Sequence, residues 1–121
     1  MNSRLLADRS SLAADGDDLA FVTVRIEDQE GNLCPTADNL LRFQVSGMGR
    51  IAAVDNGSAA TVEPFHADYR KAFNGLALLI VRARAHGAGA IRIAAAADGL
   101  VAARLELRSQ VVAPDRLYEV R

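Results

Sequence analysis

Residues 20–26 alternate in character. Ala20, Val22, Val24 and Ile26 share one side of an extended chain while Thr23 and Arg25 share the other, which predicts a strand with one buried face. Leu41, Phe43 and Val45 repeat the pattern, and Gly47-Met48-Gly49 ends it. Residues 50–54 read as a short strand closed by Asp55-Asn56-Gly57, where Asn-Gly supplies the positive φ values of a tight turn. The run Leu76-Ala77-Leu78-Leu79-Ile80-Val81 is apolar on both faces, as in a central strand covered on both sides or in a buried helix. Flanking Asn74-Gly75 and His86-Gly87-Ala88-Gly89 favour the strand, with the second reading as a hairpin turn. Residues 91–96 and 101–107, separated by Asp98-Gly99, form a further hairpin with Leu105 and Leu107 inward and Arg104, Glu106 and Arg108 outward.

Near the front, Leu5-Leu6-Ala7 and Leu12-Ala13-Ala14 resemble a first strand split at Arg9-Ser10-Ser11. The alanines of 94–97 are too few to nucleate a helix. The total of about seven or eight short strands spaced by turns predicts an all-β, immunoglobulin-like antiparallel sandwich. Its expected core is Val22, Val24, Ile26, Phe43, Val45, Leu78, Ile80, Ile91, Ile93 and Leu105. The sandwich is expected over residues 1–109, and 110–121, with a break at Pro114-Asp115, as a tail or linker.

Composition narrows the function. The 121 residues are half apolar, which suits one domain with one core. Fourteen basic and fifteen acidic residues give a net charge of −1, so neither nucleic acid nor an anionic membrane is an expected partner. The first nine residues lack the apolar run of a signal peptide and no segment is long enough to span a membrane, so a soluble chain is expected. Cys34, beside Pro35, has no second cysteine to pair with and reads as an inert loop thiol.

Catalytic constellations are sparse. The two histidines, His66 and His86, have no Gly-x-Ser-x-Gly elbow to accompany them. Asp15-Gly16-Asp17-Asp18 and Glu27-Asp28-Gln29-Glu30 are the nearest candidates for a cation site, but neither matches an EF-hand loop and both suit turns. Gly87-Ala88-Gly89-Ala90 lacks the third glycine and following helix of a nucleotide site. No metal or cofactor is expected. Residues 63–73 are different, holding three of the six aromatic side chains beside cationic donors. Phe65, His66, Tyr69, Arg70, Lys71 and Phe73 suit an interdomain contact or a sugar-stacking surface, while the bland alternative has Phe65 and Phe73 closing one end of the sandwich.

Four segments in order carry a family likeness: Asp15-Gly16-Asp17-Asp18-Leu19-Ala20-Phe21-Val22-Thr23-Val24, Asp55-Asn56-Gly57, Glu63-Pro64-Phe65 and Arg70-Lys71-Ala72-Phe73-Asn74-Gly75-Leu76-Ala77-Leu78. Over residues 5–107 the chain resembles the Ig-like C-terminal domain found in β-galactosidases of glycoside hydrolase family 2. In such enzymes, the resemblance implies, the acid/base and nucleophile glutamates lie in an upstream TIM barrel, and those positions have no counterpart here. A barrel of about 250 residues bearing two carboxylates at a set separation exceeds this chain. The resemblance therefore implies a non-catalytic accessory module whose partners are the catalytic and other domains of a parent glycosidase, in a periplasmic or extracellular setting. Two alternatives stand beside it: a carbohydrate-binding module with weak sugar contact, and an adhesin-like bacterial Ig spacer, since the Asp-Gly-Asp-Asp-Leu segment also occurs in such modules. Residues 63–78 favour the enzyme module, because a simple spacer needs no such loop.

Overall fold

Alternation turns into nine strands among the residues described by the computed structural model, 1–58 and 67–111. They are β1 (Asn2–Ala7), β2 (Ser11–Ala13), β3 (Leu19–Glu27), β4 (Leu40–Gly47), β5 (Gly49–Asp55), β6 (Tyr69–Lys71), β7 (Leu76–Ala83), β8 (Gly89–Ala96) and β9 (Ala103–Gln110). A four-stranded sheet runs β1-β3-β7-β5 and a five-stranded sheet runs β2-β9-β8-β4-β6. The first reproduces the A-B-E-D order of an immunoglobulin sandwich, and β9-β8-β4 its G-F-C order. Residues 112–121, expected as a tail, lie outside the described residues.

One face of each sheet makes the core. Ala20, Val22, Val24 and Ile26 of β3 pack with Leu79 and Val81 of β7 and with Ile91, Ile93 and Leu107 of the opposite sheet, all essentially without solvent contact. Phe43 is buried as expected, and Val45 and Leu105 pack partly buried at the core margin. Leu78 and Ile80 are corrected: β7 turns Ala77, Leu79, Val81 and Ala83 inward, and Leu78 and Ile80 lie on the outer face. The register decides this, because Leu79 stands opposite the inward Val22, whereas Ile80 stands opposite the exposed Phe21.

Three connections also differ from expectation. The first strand is split as read, but its halves join different sheets, and β2 pairs with β9 in parallel, so the sandwich is not wholly antiparallel. Arg9 secures the switch: its Nη1 donates to Asp18 Oδ1 at 2.7 Å and its Nε to the Ser11 carbonyl at 2.9 Å. The residues around His86 do not form a hairpin turn, since β7 and β8 belong to opposite sheets and the segment crosses between them. Gly47-Met48-Gly49 does more than end β4. It swings the chain from one sheet to the other, with Gly47 at φ 80° and its α-carbon so close to the Ala90 carbonyl that a side chain has no room.

The acidic clusters serve turns. Asp15 Oδ1 accepts the amides of Asp17 and Asp18 at 2.9 and 2.8 Å, and Asp28 Oδ1 those of Glu30 and Asn32 at 2.9 Å each. Backbone donors hold the Asp15 carboxyl (chiefly Asp17 and Asp18) and the Asp28 carboxyl (chiefly Asn32) below the usual carboxylate value of 3.8. The folded state thus favours the ionised forms, so their stabilisation is present above that value and lost as pH falls through the depressed ones. Thermal melts from pH 7 downward should show Tm falling most steeply below about pH 4. An Asp15→Asn, Asp28→Asn variant should be less stable at pH 7 and decline more gently; an unchanged slope would remove these turns from the acid response.

Candidate functional site

The cation-rich segment is split by strand geometry. Tyr69, Arg70 and Lys71 form β6, the edge strand paired with β4 opposite Arg42, Leu41 and Leu40. Period-two alternation sends the middle residue the other way. Tyr69 is part-exposed and Lys71 exposed, whereas Arg70 is 1% exposed, the largest fully buried side chain among those described. Arg70 therefore does not share a surface with its neighbours. Its Nη2 donates at 3.1 Å to the carbonyl of Val54, itself buried on β5, so the guanidinium links the edge of one sheet to the edge strand of the other.

A second link lies beside it. Asn56 Nδ2 donates to the Lys71 carbonyl at 2.8 Å, and Asn56 Oδ1 accepts the Ser58 amide at 3.0 Å. Asp55 Oδ1 accepts the Asn56 amide at 2.8 Å. Here the reading of Asn-Gly as a purely conformational device is corrected: Gly57 takes positive φ but Asn56 does not, its role being that of a side-chain staple. At Asn74-Gly75 both residues do take positive φ, 54° and 79°, and Phe73 and Leu76 exchange backbone hydrogen bonds around them in a two-residue turn. That turn leaves Phe73 42% exposed. Phe65 and His66 lie outside the described residues.

What chemistry can gather here is limited by where the acids sit. Asp68 borders an open groove of about 360 Å³ with Phe43, Gln44, Val45, Ser46 and Ile51, a lining that offers one carboxylate. Glycoside hydrolysis takes a pair. Glu27 is buried with Arg25 Nε at 2.9 Å, and Asp18 is engaged by Arg9 and by the Ala13 amide at 2.7 Å. Among the described residues no three His, Cys, Asp or Glu side chains cluster as metal ligands do. His86 is exposed on the crossover with φ 63°. Cys34 is part-buried against the core, and its amide donates to the Ile26 carbonyl at 2.8 Å.

One feature went unread in the sequence. The outer face of the four-stranded sheet carries Leu6, Phe21, Leu78 and Ile80 side by side, with Leu6 and Phe21 40% and 41% exposed. The available signal was Arg82, two residues beyond Ile80 and hence on the same face of β7.

The strand order and the buried link define an immunoglobulin-like sandwich module. Comparison with known proteins places that module. The model of glycoside hydrolase family 2 C-terminal domain 5 matches residues 4–106, and the chain belongs to that family. It is 46% identical over 107 residues to β-galactosidase BoGH2A of Bacteroides ovatus, an alignment covering 88% of this chain and 12% of that protein. A glycosyl hydrolase family 2 member from Bacteroides cellulosilyticus superposes with a TM-score of 0.87 at 32% identity, over 90% of this chain and 14% of that one. The C-terminal fragment of intimin superposes at a TM-score of 0.61 and 17% identity, over 88% of this chain and 32% of the fragment, a likeness of fold alone. The chain thus spans about an eighth of the length of the family 2 relatives it matches.

Arg70→Met is expected to destabilise the domain by about 1.5–3 kcal/mol, because it leaves a buried carbonyl without its charged donor. Arg42→Met, on the exposed face of the neighbouring strand, should change stability by no more than about 0.5 kcal/mol. Urea titrations of both variants check the contrast, and equal effects would remove Arg70 from the closure.

Proposed function

We propose that this domain is a non-catalytic accessory module of a β-galactosidase-type family 2 glycoside hydrolase, packed on the catalytic and other domains of its polypeptide and steadying their arrangement. The observation that carries this reading is the match to a C-terminal domain family by a chain covering about an eighth of a β-galactosidase. The use of the described acids supports it: Asp15, Asp18, Asp28, Asp55 and Glu27 cap turns or hold arginines. In such a module the reactive groups belong elsewhere in the polypeptide. Tyr69, Lys71 and Phe73, which reach solvent, are assigned a peripheral contact at the β6 end that leaves the neighbouring Leu40 open to water. Arg70 is not part of it, since its guanidinium holds the sandwich closed.

The chain alone should not hydrolyse an aryl galactoside above the buffer rate. In the full-length enzyme, Tyr69→Ala with Phe73→Ala should leave kcat on a small substrate within about twofold while lowering Tm by about 2–4 °C. Turnover by the isolated chain would overturn the non-catalytic reading. Calorimetric binding of galactosides to the isolated chain, lost in the same double variant, would replace docking by carbohydrate binding.

A further inference from the structure

The sandwich has two outer faces of opposite character. On the five-stranded sheet Arg42, Gln44, Ser46, Arg92, Arg104 and Glu106 point outward among small alanines, and Leu40, beside Lys71, is the one large aliphatic side chain that the described strands turn outward there. The four-stranded sheet differs. Register sets Leu6, Thr23, Leu78 and, at the β5 edge, Asp55 in one row across its outer face and Phe21, Ile80 and Ala53 in the next. Arginines bracket these rows on both sides, Arg4 and Arg25 beyond the first and Arg82 and Arg50 beyond the second, with Arg4 and Arg25 paired to Glu27 and Arg82 to Asp17. An apolar centre with an arginine border is the composition of an interface, and arginine is enriched there because its donors serve carbonyls and carboxylates alike.

Where the polypeptide enters the domain indicates the occupant. β1 is the first strand and also the edge strand of this same sheet. The chain belongs to a C-terminal domain family and spans 12–14% of its relatives, and polypeptide that leads into it arrives at β1, beside the apolar rows. Leu6 lies on that strand. The patch itself is small. A free-standing dimer takes about 800 Å² from each partner, whereas a tethered neighbour acts at an effective concentration of roughly millimolar and needs less.

We infer that the outer face of the β1-β3-β7-β5 sheet, centred on Leu6, Phe21, Leu78 and Ile80, is the principal docking surface of the domain. Its occupant is an apolar surface on the part of the same polypeptide that leads into β1. This rests on the accessory-module reading and deepens it by naming the face and the chemistry of its partner.

The structure supplies a matched pair for the test. Leu6 and Leu40 are the same residue type at 40% and 38% exposure, the first on the proposed face and the second on the opposite sheet beside Lys71. Hydroxyl-radical footprinting of the full-length enzyme, with each rate normalised to the unfolded protein, should find Leu6 and Phe21 oxidised at least about fivefold more slowly than Leu40, as water exclusion at an interface centre requires. A Leu6→Glu substitution should restore reactivity at Phe21, and Leu40→Glu should not. Equal rates at Leu6 and Leu40 would overturn the inference. Protection of Leu40 with Leu6 reactive would also overturn it, moving the contact to the β6 end while the accessory reading stands. Full reactivity at both, together with a domain that scattering shows to swing independently of the rest, would overturn both readings.

Discussion

Everything in this fold answers to one gap that must stay dry. Two sheets each give one face to it, and Val22, Val24, Ile26, Leu79, Val81, Ile91, Ile93 and Leu107 fill it. Each such side chain contributes about 1.5–3 kcal/mol on burial, against a net stability of about 5–15 kcal/mol for an ordinary domain. The margin leaves little room for a polar intrusion. Corners between the sheets therefore fall at Gly47 and Gly49, where a side chain would strike Ala90 or Ile91. Arg70 is admitted because it sits at the margin, where strand edges meet, and gives its donor to a carbonyl that would otherwise be buried without it.

The polar clusters follow from the same constraint at one remove. A sandwich with strands this short has turns close together, and each turn exposes amides that the sheets do not satisfy. Asp15, Asp28 and Asp55 take up several of these, and Asp18 joins the β1 to β2 switch to the start of β3. Their grouping in the sequence looks like a cation loop. In space each faces its own backbone, so the charges serve separate turns and do not converge on one point.

Alternation made β3, β4 and β9 legible, because charged or polar residues such as Thr23 and Arg25, Arg42 and Gln44, and Arg104 and Glu106 recur at every second position and fix the phase. β7 lacked that marking over its apolar stretch, so its phase depended on neighbours that sequence alone does not supply. Arg82 carried the missing information and points to the outer face. The same arithmetic applies to residues 69–71. Reading Tyr69, Arg70 and Lys71 as one surface treated proximity in sequence as proximity in space, yet in a strand consecutive side chains part company. The parallel β2–β9 pair was illegible for another reason: three residues carry too little pattern to say which sheet they join.

How such a module can touch its surroundings follows from what its edges and faces leave available. β-Strand addition requires a regular unpaired edge. On the four-stranded sheet, the β5 edge is broken by a bulge between Ile51 and Ala53, and the start of β1 is engaged by Val101, whose carbonyl accepts the Ser3 amide at 3.2 Å and whose amide donates to Met1 at 3.1 Å. Both are devices that keep a sheet from extending. Contact through a face remains, and the two faces are unequal: one presents arginines, glutamine and serine with a single leucine, Leu40, at its margin, the other a leucine and a phenylalanine about two-fifths exposed with Leu78 and Ile80 on the adjacent strand. Since solvent exposure of scattered apolar groups is ordinary but a contiguous set across adjacent strands is not, the apolar face is the one whose composition calls for a partner.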